Sequence, residues 1–224
     1  YEGTMQKIGI LFGTMAFSAL MLVTIGITID MNFIFVGAGV GFVGGLIAYL
    51  ILLFKRPENP AGLMITYAIF EGLLIGGFSM IFESMYEGIV FQAALGTVCI
   101  TGTMYGLYAT RIIKATPMLK KVIFTLTGGI MMLYLVSIIL YLLPSNFEVP
   151  FLHTSGPVGI LLTVFILTVA SFLLIINFDF IEKGIQHRTP KVGEWWGAFG
   201  LLVTVVWIYI EMLRLLAKIR SNFD

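Results

Sequence analysis

Apolar residues follow one another along this chain in long runs that short polar segments interrupt. A helix needs about 20 apolar residues to cross the hydrocarbon core of a bilayer, and seven of the runs are long enough. Their predicted bounds are 7–29, 33–54, 61–82, 88–110, 119–143, 157–181 and 195–217. The pattern predicts an all-α polytopic membrane protein in which residues 1–224 form a single transmembrane bundle.

The polar segments contain the turn residues that are typical of loops between membrane helices. Asp30 and Asn32 form a tight first turn, residues 55–60 include two prolines, and residues 182–191 are the most highly charged. Composition agrees with this pattern. Charged residues make up 11% of the chain, where soluble proteins have roughly 25%. With a mean hydropathy of +1.02, the chain is expected to be an integral membrane protein.

Basic residues are distributed unevenly between the two sides of the predicted membrane. Ten of the 13 Lys and Arg residues lie on the side of the N-terminus, and the loops around Asp30, Glu83 and Glu148 contain none. By the positive-inside rule, this bias predicts a cytoplasmic N-terminus. The exceptions lie at the end of the last run and just after it, so the last helix either crosses against the bias or does not cross completely. They are Arg214, Lys218 and Arg220.

Several of the 25 glycines are four residues apart, a spacing that lets membrane helices approach closely. We therefore expect close helix packing at three sets of positions. These are Gly37, Gly41 and Gly45, then Gly72 and Gly76, then Gly102 and Gly106.

Other features argue against several classes of function. The net charge is +1 and the chain lacks a basic block with interleaved aromatic residues, so nucleic-acid binding is not expected. The single cysteine, Cys99, cannot form an intrachain disulfide and is expected to be buried and inert. The motifs HExxH, GxSxG and the P-loop are absent, as is the GxGD motif of intramembrane aspartyl proteases. We predict a protein that is not an enzyme and has no cofactor.

Three acidic residues lie within the apolar runs: Glu71, Asp179 and Glu211. A carboxylate at bilayer depth costs about 3 kcal/mol, so it normally faces protein or water and has a partner. Each acid is either a satisfied structural group or a functional one, and the position of Glu71 in the middle of a run favours function. Arg214, three residues after Glu211, is a candidate ion-pair partner on the same helix face, unless it reaches the lipid headgroups instead.

Asp179 and Glu211 are the candidate proton sensor. If the two carboxyl groups lie a few ångströms apart, they cannot both ionise at low cost, so they share a proton and titrate as a unit. When fully ionised, their oxygens suit a transiently bound Ca²⁺. A straight last helix that starts at Gly193 would place Glu211 about 27 Å along it, near the opposite membrane face from Asp179. The pairing therefore requires that residues 194–200 lie in the interface, or that the helix tilts or fails to cross.

Two segments resemble a known family. The sequence NFDFIE at residues 177–182 and the sequence WIYIEMLRLL at residues 207–216 are similar to the signature of the transmembrane Bax inhibitor motif family, also called the Bax inhibitor or lifeguard family. The opening YEGT and the sequence GIVFQA at residues 88–93 resemble its bacterial branch. The resemblance covers essentially the whole chain.

The resemblance implies a seven-helix fold in which the last helix is surrounded by the other six. It also implies a proton-sensitive calcium leak governed by two acidic residues, which correspond to Asp179 and Glu211. In the family, a basic residue at the end of the second helix latches the first acid, and Lys55 or Arg56 occupies that place. This chain departs from the family in having Glu as its second acid and a longer segment between the two acids.

From these features we predict a pH-sensitive calcium leak channel of the bacterial plasma membrane. Asp179 and Glu211 form the sensor, Arg56 or Lys55 is the latch, and Glu71 lines the path. The expected partners are the lipid bilayer, protons, and Ca²⁺ as the permeant ion. Acid is expected to open the pore, because protonating the pair breaks its salt bridge with the latch.

Two alternative functions stay open. The family includes a member that restrains a membrane-bound protease, so the first alternative is a non-conducting regulator of such a protease or of another partner. The second is a proton-coupled transporter of a solute.

Overall fold

Seven α-helices form the part of the chain that the structure, a computed structural model, describes: residues 2–142, 156–187 and 189–222. No strand occurs in these residues, which confirms the predicted all-α class. The predicted spans and the helices agree to within five residues, and the largest differences are that the first helix begins five residues earlier and the sixth ends five residues later than predicted. The helices are α1 Glu2–Thr28, α2 Asn32–Lys55, α3 Ala61–Met85, α4 Ile89–Ala109, α5 Pro117–Leu142, α6 Pro157–Gln186 and α7 Lys191–Arg220.

Every one of these helices is long and apolar enough to cross a bilayer. Each contains an 18-residue window with a mean hydropathy between 1.3 and 2.8. Within a helix the backbone groups bond to one another, so the helix can enter hydrocarbon without leaving them unpaired. Large apolar side chains such as Phe17 and Phe54, 71% and 79% exposed, suit a surface in contact with lipid. The protein is therefore an integral membrane protein.

Local side-chain chemistry sets several helix ends. The carboxylate of Asp30 accepts a hydrogen bond from the Asn32 N–H (2.9 Å) in the turn before α2. At the other end of α2, Arg56 has the left-handed backbone (φ 40°) that often terminates a helix. The Glu83 carboxylate accepts the N–H groups of Gly88 (2.6 Å) and Val90 (3.0 Å) and so caps the start of α4.

The chain divides into two compact units, and the prediction of one bundle over residues 1–224 stays a prediction. The first unit runs to Val90 and resumes from Asn177 to Val206. In it, α1, α2 and α3 pack together through glycines. A Cβ added at Gly41 would lie 2.6 Å from two backbone atoms of α3, and one added at Gly76 would lie 2.8 Å from the Ala19 carbonyl oxygen of α1. The expected close approach is confirmed at these glycines.

The second unit comprises residues from Phe91 to Ile176 and the chain from Trp207 onward. Its core is a cluster of branched side chains from α5 and α6, against which the rings of Tyr134 and Trp207 pack. Two expectations are wrong here. Among the described residues nothing lies within 4 Å of a Cβ added at Gly102 or Gly106, and Cys99 is exposed rather than buried. The buried cluster consists of Ile123, Ile130, Ile166, Val169 and Ile176.

Helix α7 is continuous from Lys191 to Arg220. Residues 194–200, including the paired tryptophans, are therefore part of this helix. Each of the three geometries that the pairing of Asp179 with Glu211 would require stays a prediction. The central position of the last helix, which the resemblance implies, stays a prediction.

Candidate functional site

Asp179 lies in the part of α6 that belongs to the first unit, and only 7% of the residue is exposed. Its Oδ2 atom is 2.9 Å from the Nζ atom of Lys183, one turn later on the same helix. The Lys183 side chain is half exposed, so its aliphatic part can extend along α6 while its ammonium group stays near polar surroundings. The acid that the sequence singled out is therefore buried and ion-paired locally.

The two basic residues predicted as a latch lie at the end of α2. Both Lys55 and Arg56 are exposed, and neither forms an ion pair with a residue that the structure describes. Among the described residues, Lys183 forms an ion pair with Asp179, and the sequence analysis gave this lysine no role. A latch formed by Arg56 or Lys55 stays a prediction.

A polar contact of Asn177, two residues before Asp179, joins α6 to α7 within the first unit. The Asn177 amide donates hydrogen bonds to the Thr204 hydroxyl (2.7 Å) and the Gly200 carbonyl (3.2 Å). Thr204 in turn donates to the Gly200 carbonyl at 2.9 Å. Sequence analysis missed this contact, although an asparagine within an apolar run is a signal for an interhelical hydrogen bond.

We expect Asn177→Ala to lower the free energy of unfolding in detergent by about 1–2 kcal/mol, because two interhelical hydrogen bonds are lost and each contributes on the order of 0.6 kcal/mol in membrane proteins. Denaturation with increasing SDS, followed by circular dichroism, measures this change. The control is Thr168→Val, since Thr168 is exposed and its hydroxyl bonds only within α6. Equal stability of the two variants would contradict the role of Asn177.

Glu211 is the most deeply buried acid, with 1% of the residue exposed. Its Oε1 atom accepts a hydrogen bond from the Tyr134 hydroxyl of α5 at 2.5 Å and another from Arg214 at 3.3 Å. The guanidinium group of Arg214 also lies over the Tyr134 ring, 5.3 Å from its centre. All three residues belong to the second unit, and we call them the Glu211 triad. The pattern of apolar residues provides no signal for Tyr134, because a tyrosine in an apolar run resembles any aromatic residue of a protein core.

The remaining basic residues at the end of α7 are also used within the second unit. Lys218 donates to the Gly159 carbonyl (3.1 Å) and the Thr163 hydroxyl (3.0 Å) of α6. Arg220 donates to the Gln92 side chain of α4 at 3.2 Å. Lys218 and Arg220 are exceptions to the positive-inside bias, and these contacts give both of them a structural role that does not depend on the side of the membrane.

The family of the chain can now be stated. Compared with known protein families, residues 1–221 match the one described as Bax inhibitor 1 like. The chain belongs to the Bax inhibitor 1-like family. No curated protein and no solved structure was found to be similar to it. Membership confirms the resemblance for nearly the whole chain, whereas the bacterial branch stays a prediction.

In this Bax inhibitor 1-like protein the two acids of the predicted sensor have separate partners. Asp179 is paired with Lys183 in the first unit, and Glu211 is held by Tyr134 and Arg214 in the second. In both cases the cation follows its acid by one helical turn on the same helix. A shared proton between Asp179 and Glu211 stays a prediction.

Glu71, the candidate lining residue of the Bax inhibitor 1-like chain, lies on the buried face of α3 in the first unit. The titratable side chain that faces it is that of Tyr67, one turn earlier on the same helix. Glu71 has no ion pair with any residue in the described part of the chain. Glu71 therefore differs from the other two buried acids, each of which has a cation.

Metal and ligand sites are also constrained by the structure. Within the described residues, no three His, Cys, Asp or Glu side chains come together in a way that could hold a metal ion. A cavity of about 370 Å³ lies next to the Asp179 ion pair. Lys183, His187 and Glu194 line it, and Glu194 is in turn ion-paired with Lys7 of α1. Transient binding of Ca²⁺ by Asp179 and Glu211 stays a prediction.

Proposed function

We propose that this protein is a pH-sensitive calcium leak of the membrane, in which Asp179 and Glu211 sense protons and Ca²⁺ is the permeant ion. One observation carries the proposal: two acids on consecutive apolar helices are buried, and each has a cation one turn later. Such ion pairs depend on the charge of the carboxylate. Protonation removes that charge and leaves the cation without its partner.

Glu211 connects proton uptake to a contact between helices. While it is a carboxylate, its bond with Tyr134 ties α7 to α5 in the second unit. A hydrogen bond to a charged group contributes about 1.5–3 kcal/mol, and a neutral one about 0.5–1.5 kcal/mol. Protonation is therefore expected to weaken this contact by about 1–2 kcal/mol, which changes a two-state population by roughly five- to thirtyfold. Acid then favours the open state.

The test is Ca²⁺ efflux from proteoliposomes at a series of pH values. If opening requires a proton on each acid, the Ca²⁺ flux of the wild type at alkaline pH rises with about the second power of the proton concentration. In Asp179→Asn only one acid still binds a proton, so the flux rises with about the first power. Asp179→Asn also raises the flux at neutral pH, because the Lys183 ion pair is lost. Glu58→Gln is the control, since Glu58 is an exposed acid in a loop.

Two results would overturn the proposal. An Asp179→Asn protein with the flux and pH profile of the wild type would exclude Asp179 as a sensor. Flux equal to that of empty liposomes, together with co-purification of a membrane-bound protease, would instead identify a non-conducting regulator. The proposed orientation, with a cytoplasmic N-terminus, is checked separately by labelling cysteines introduced at either end of the chain.

A further inference from the structure

The cavity next to the Asp179 ion pair lies where three helices of the first unit begin or end. Its lining includes Thr4 near the start of α1, side chains of the last two turns of α6, and Glu194 in the first turn of α7. Helix α6 has 30 residues and is about 45 Å long, whereas the hydrocarbon core of a bilayer is about 30 Å thick. Trp195 and Trp196, which follow Glu194, are residues typical of the membrane interface. The cavity therefore lies at the depth of the lipid headgroups.

Two groups of unlike charge line this cavity. Lys183 and His187 form the basic pole, and they lie on one face of α6 because the His187 N–H still bonds to the Lys183 carbonyl (2.9 Å). Glu194 and Thr4 form the acidic pole, where α7 meets the start of α1. A Cβ added at Gly3, the residue before Thr4, would lie 2.5 Å from the Oε2 atom of Glu194. One side of the cavity thus donates hydrogen bonds to an anion, and the other accepts them from a cation.

Thr4 is a buried polar residue that faces this space. Only 4% of it is exposed, and among the described residues its hydroxyl group forms no hydrogen bond. Burying a hydroxyl group without a partner is unfavourable, so buried hydroxyl groups in proteins are nearly always bonded. The cavity has a volume of about 370 Å³, within the range of pockets that hold small ligands. A polar ligand in the cavity would supply the partner that Thr4 requires.

The charges around the cavity are balanced within the protein. Lys183 is ion-paired with Asp179, and Glu194 is ion-paired with Lys7. A ligand with a net charge would leave one charge uncompensated in a partly buried place, whereas a zwitterion adds one charge of each sign. Both poles can take a further partner, because an ammonium group has three donors and a carboxylate has about four acceptor positions. The balance therefore favours a zwitterionic ligand.

The side chains at each pole indicate the chemistry of that ligand. A phosphate group suits Lys183 and His187, since hydrogen bonds between charged groups are the strong ones. A primary ammonium group suits Glu194 and Thr4, because it has N–H groups to donate. A quaternary ammonium group has none and is typically bound by several aromatic rings, whereas Phe180 is the one Phe, Tyr or Trp among the described residues that line the cavity. Phe180 is also 52% exposed and offers apolar surface to the rest of a lipid.

We propose that this cavity binds the headgroup of a phospholipid in which a phosphate is joined to a primary ammonium group, the chemistry of phosphatidylethanolamine. The phosphate lies beside Lys183 and His187, and the ammonium group binds Glu194 and Thr4. This inference goes beyond the proposed leak and does not depend on it, because it concerns lipid binding alone.

Native mass spectrometry of the full chain in detergent tests the proposal. The protein is mixed with equal amounts of phosphatidylethanolamine, phosphatidylcholine and phosphatidylglycerol that have the same acyl chains, and the retained lipid is identified. We expect phosphatidylethanolamine to be bound about tenfold more tightly than the other two, the effect of one hydrogen bond to a charged group. Phosphatidylcholine lacks the N–H donors, and phosphatidylglycerol lacks the ammonium group. Free phosphoethanolamine and free glycine are added separately as competitors.

Matched variants assign the preference to the acidic pole. Glu194→Gln is expected to lower the preference over phosphatidylcholine at least threefold. Lys7→Gln breaks the same ion pair but keeps the Glu194 carboxylate, so it should keep the preference. Thr4→Val has nearly the same shape and should lower the affinity for phosphatidylethanolamine about threefold. Glu58→Gln changes an exposed loop acid outside the cavity and should bind as the wild type does.

The outcomes decide the proposal in either direction. Equal binding of the three lipids, or a preference for phosphatidylglycerol, overturns it. Loss of the preference in both Glu194→Gln and Lys7→Gln assigns the effect to their ion pair and overturns it as well. If Glu194→Gln loses its helical spectrum, Thr4→Val still decides, because an unchanged affinity contradicts the proposed contact.

The competitors identify the source of the ligand. Phosphoethanolamine that binds more weakly than the lipid supports a lipid headgroup, and equally tight binding supports the same chemistry in a soluble ligand. Glycine that displaces the lipid as well as phosphoethanolamine does would show that the cavity does not recognise a phosphate, and this result overturns the proposal.

Discussion

Replacing Gly41 by alanine is expected to lower the free energy of unfolding by about 3 kcal/mol, the upper end of the usual cost of overpacking. The new Cβ would lie 2.6 Å from the Leu74 nitrogen and 2.6 Å from the Phe70 carbonyl oxygen. Both are backbone atoms of α3, so no side chain can rotate away to relieve the clash. The two helices must separate, and the contacts along their interface weaken together.

The chain offers matched controls for this substitution on the same helix. Gly39 has no atom within 4 Å of an added Cβ, and the nearest atom to one at Gly45 is 3.6 Å away. All three substitutions to alanine give the same gain in helix propensity, so differences between them report packing alone. SDS denaturation followed by circular dichroism measures the stabilities. If Gly41→Ala and Gly39→Ala agree within about 0.5 kcal/mol, the close contact of α2 with α3 is wrong.

The second large effect is expected for Glu211→Gln, which should raise Ca²⁺ flux at neutral pH by roughly five- to thirtyfold, the change estimated above for weakening the α5–α7 contact. Glutamine has nearly the shape of glutamic acid, and its side-chain oxygen can still accept the Tyr134 hydroxyl. It carries no charge, however, so the ion pair with Arg214 is lost. The variant therefore resembles the wild type with Glu211 protonated. Its flux at alkaline pH should rise with about the first power of the proton concentration instead of the second.

Tyr134→Phe tests the same site without changing an acid. The Tyr134 hydroxyl ties α5 to α7 through the Glu211 carboxylate, so its removal weakens that contact while Glu211 is unchanged. The flux at neutral pH should then rise by roughly tenfold or more, because a hydrogen bond to a charged group contributes about 1.5–3 kcal/mol. Proteoliposome flux over a series of pH values gives the profiles of both variants. A wild-type profile for Glu211→Gln in a protein with an unchanged helical spectrum would remove Glu211 from the sensor.

The candidate site was visible in the sequence where its contacts are local. Glu211 and Arg214 are three residues apart on a helix, and this spacing alone places them on one face. The spacing of Asp179 and Lys183 gave the same information, yet the resemblance directed attention to Lys55 and Arg56 instead. Lys183 was thus available from helical periodicity.

Contacts between helices were not available in this way. The bond from Tyr134 to Glu211 and the bond from Asn177 to Thr204 each join residues on different helices. Periodicity shows which face of a helix a residue occupies, but it does not show which helix faces it. The glycines illustrate the same limit, because Gly102 and Gly106 have the same spacing as Gly72 and Gly76. Among the described residues, an added Cβ would meet another helix at Gly72 and Gly76 but not at Gly102 or Gly106.

The sequence by itself determined seven helices that are long and apolar enough to cross a membrane, in the part of the chain that the structure describes, and three acids placed among their apolar residues. That much follows from local rules, because hydrocarbon requires each segment to satisfy its own backbone hydrogen bonds. Only the tertiary structure decided that two of the acids, Asp179 and Glu211, are ion-paired with a cation of their own helix. The partners of a buried side chain depend on how each helix is rotated against its neighbours, and that rotation results from the packing of small residues and interhelical hydrogen bonds along whole helices.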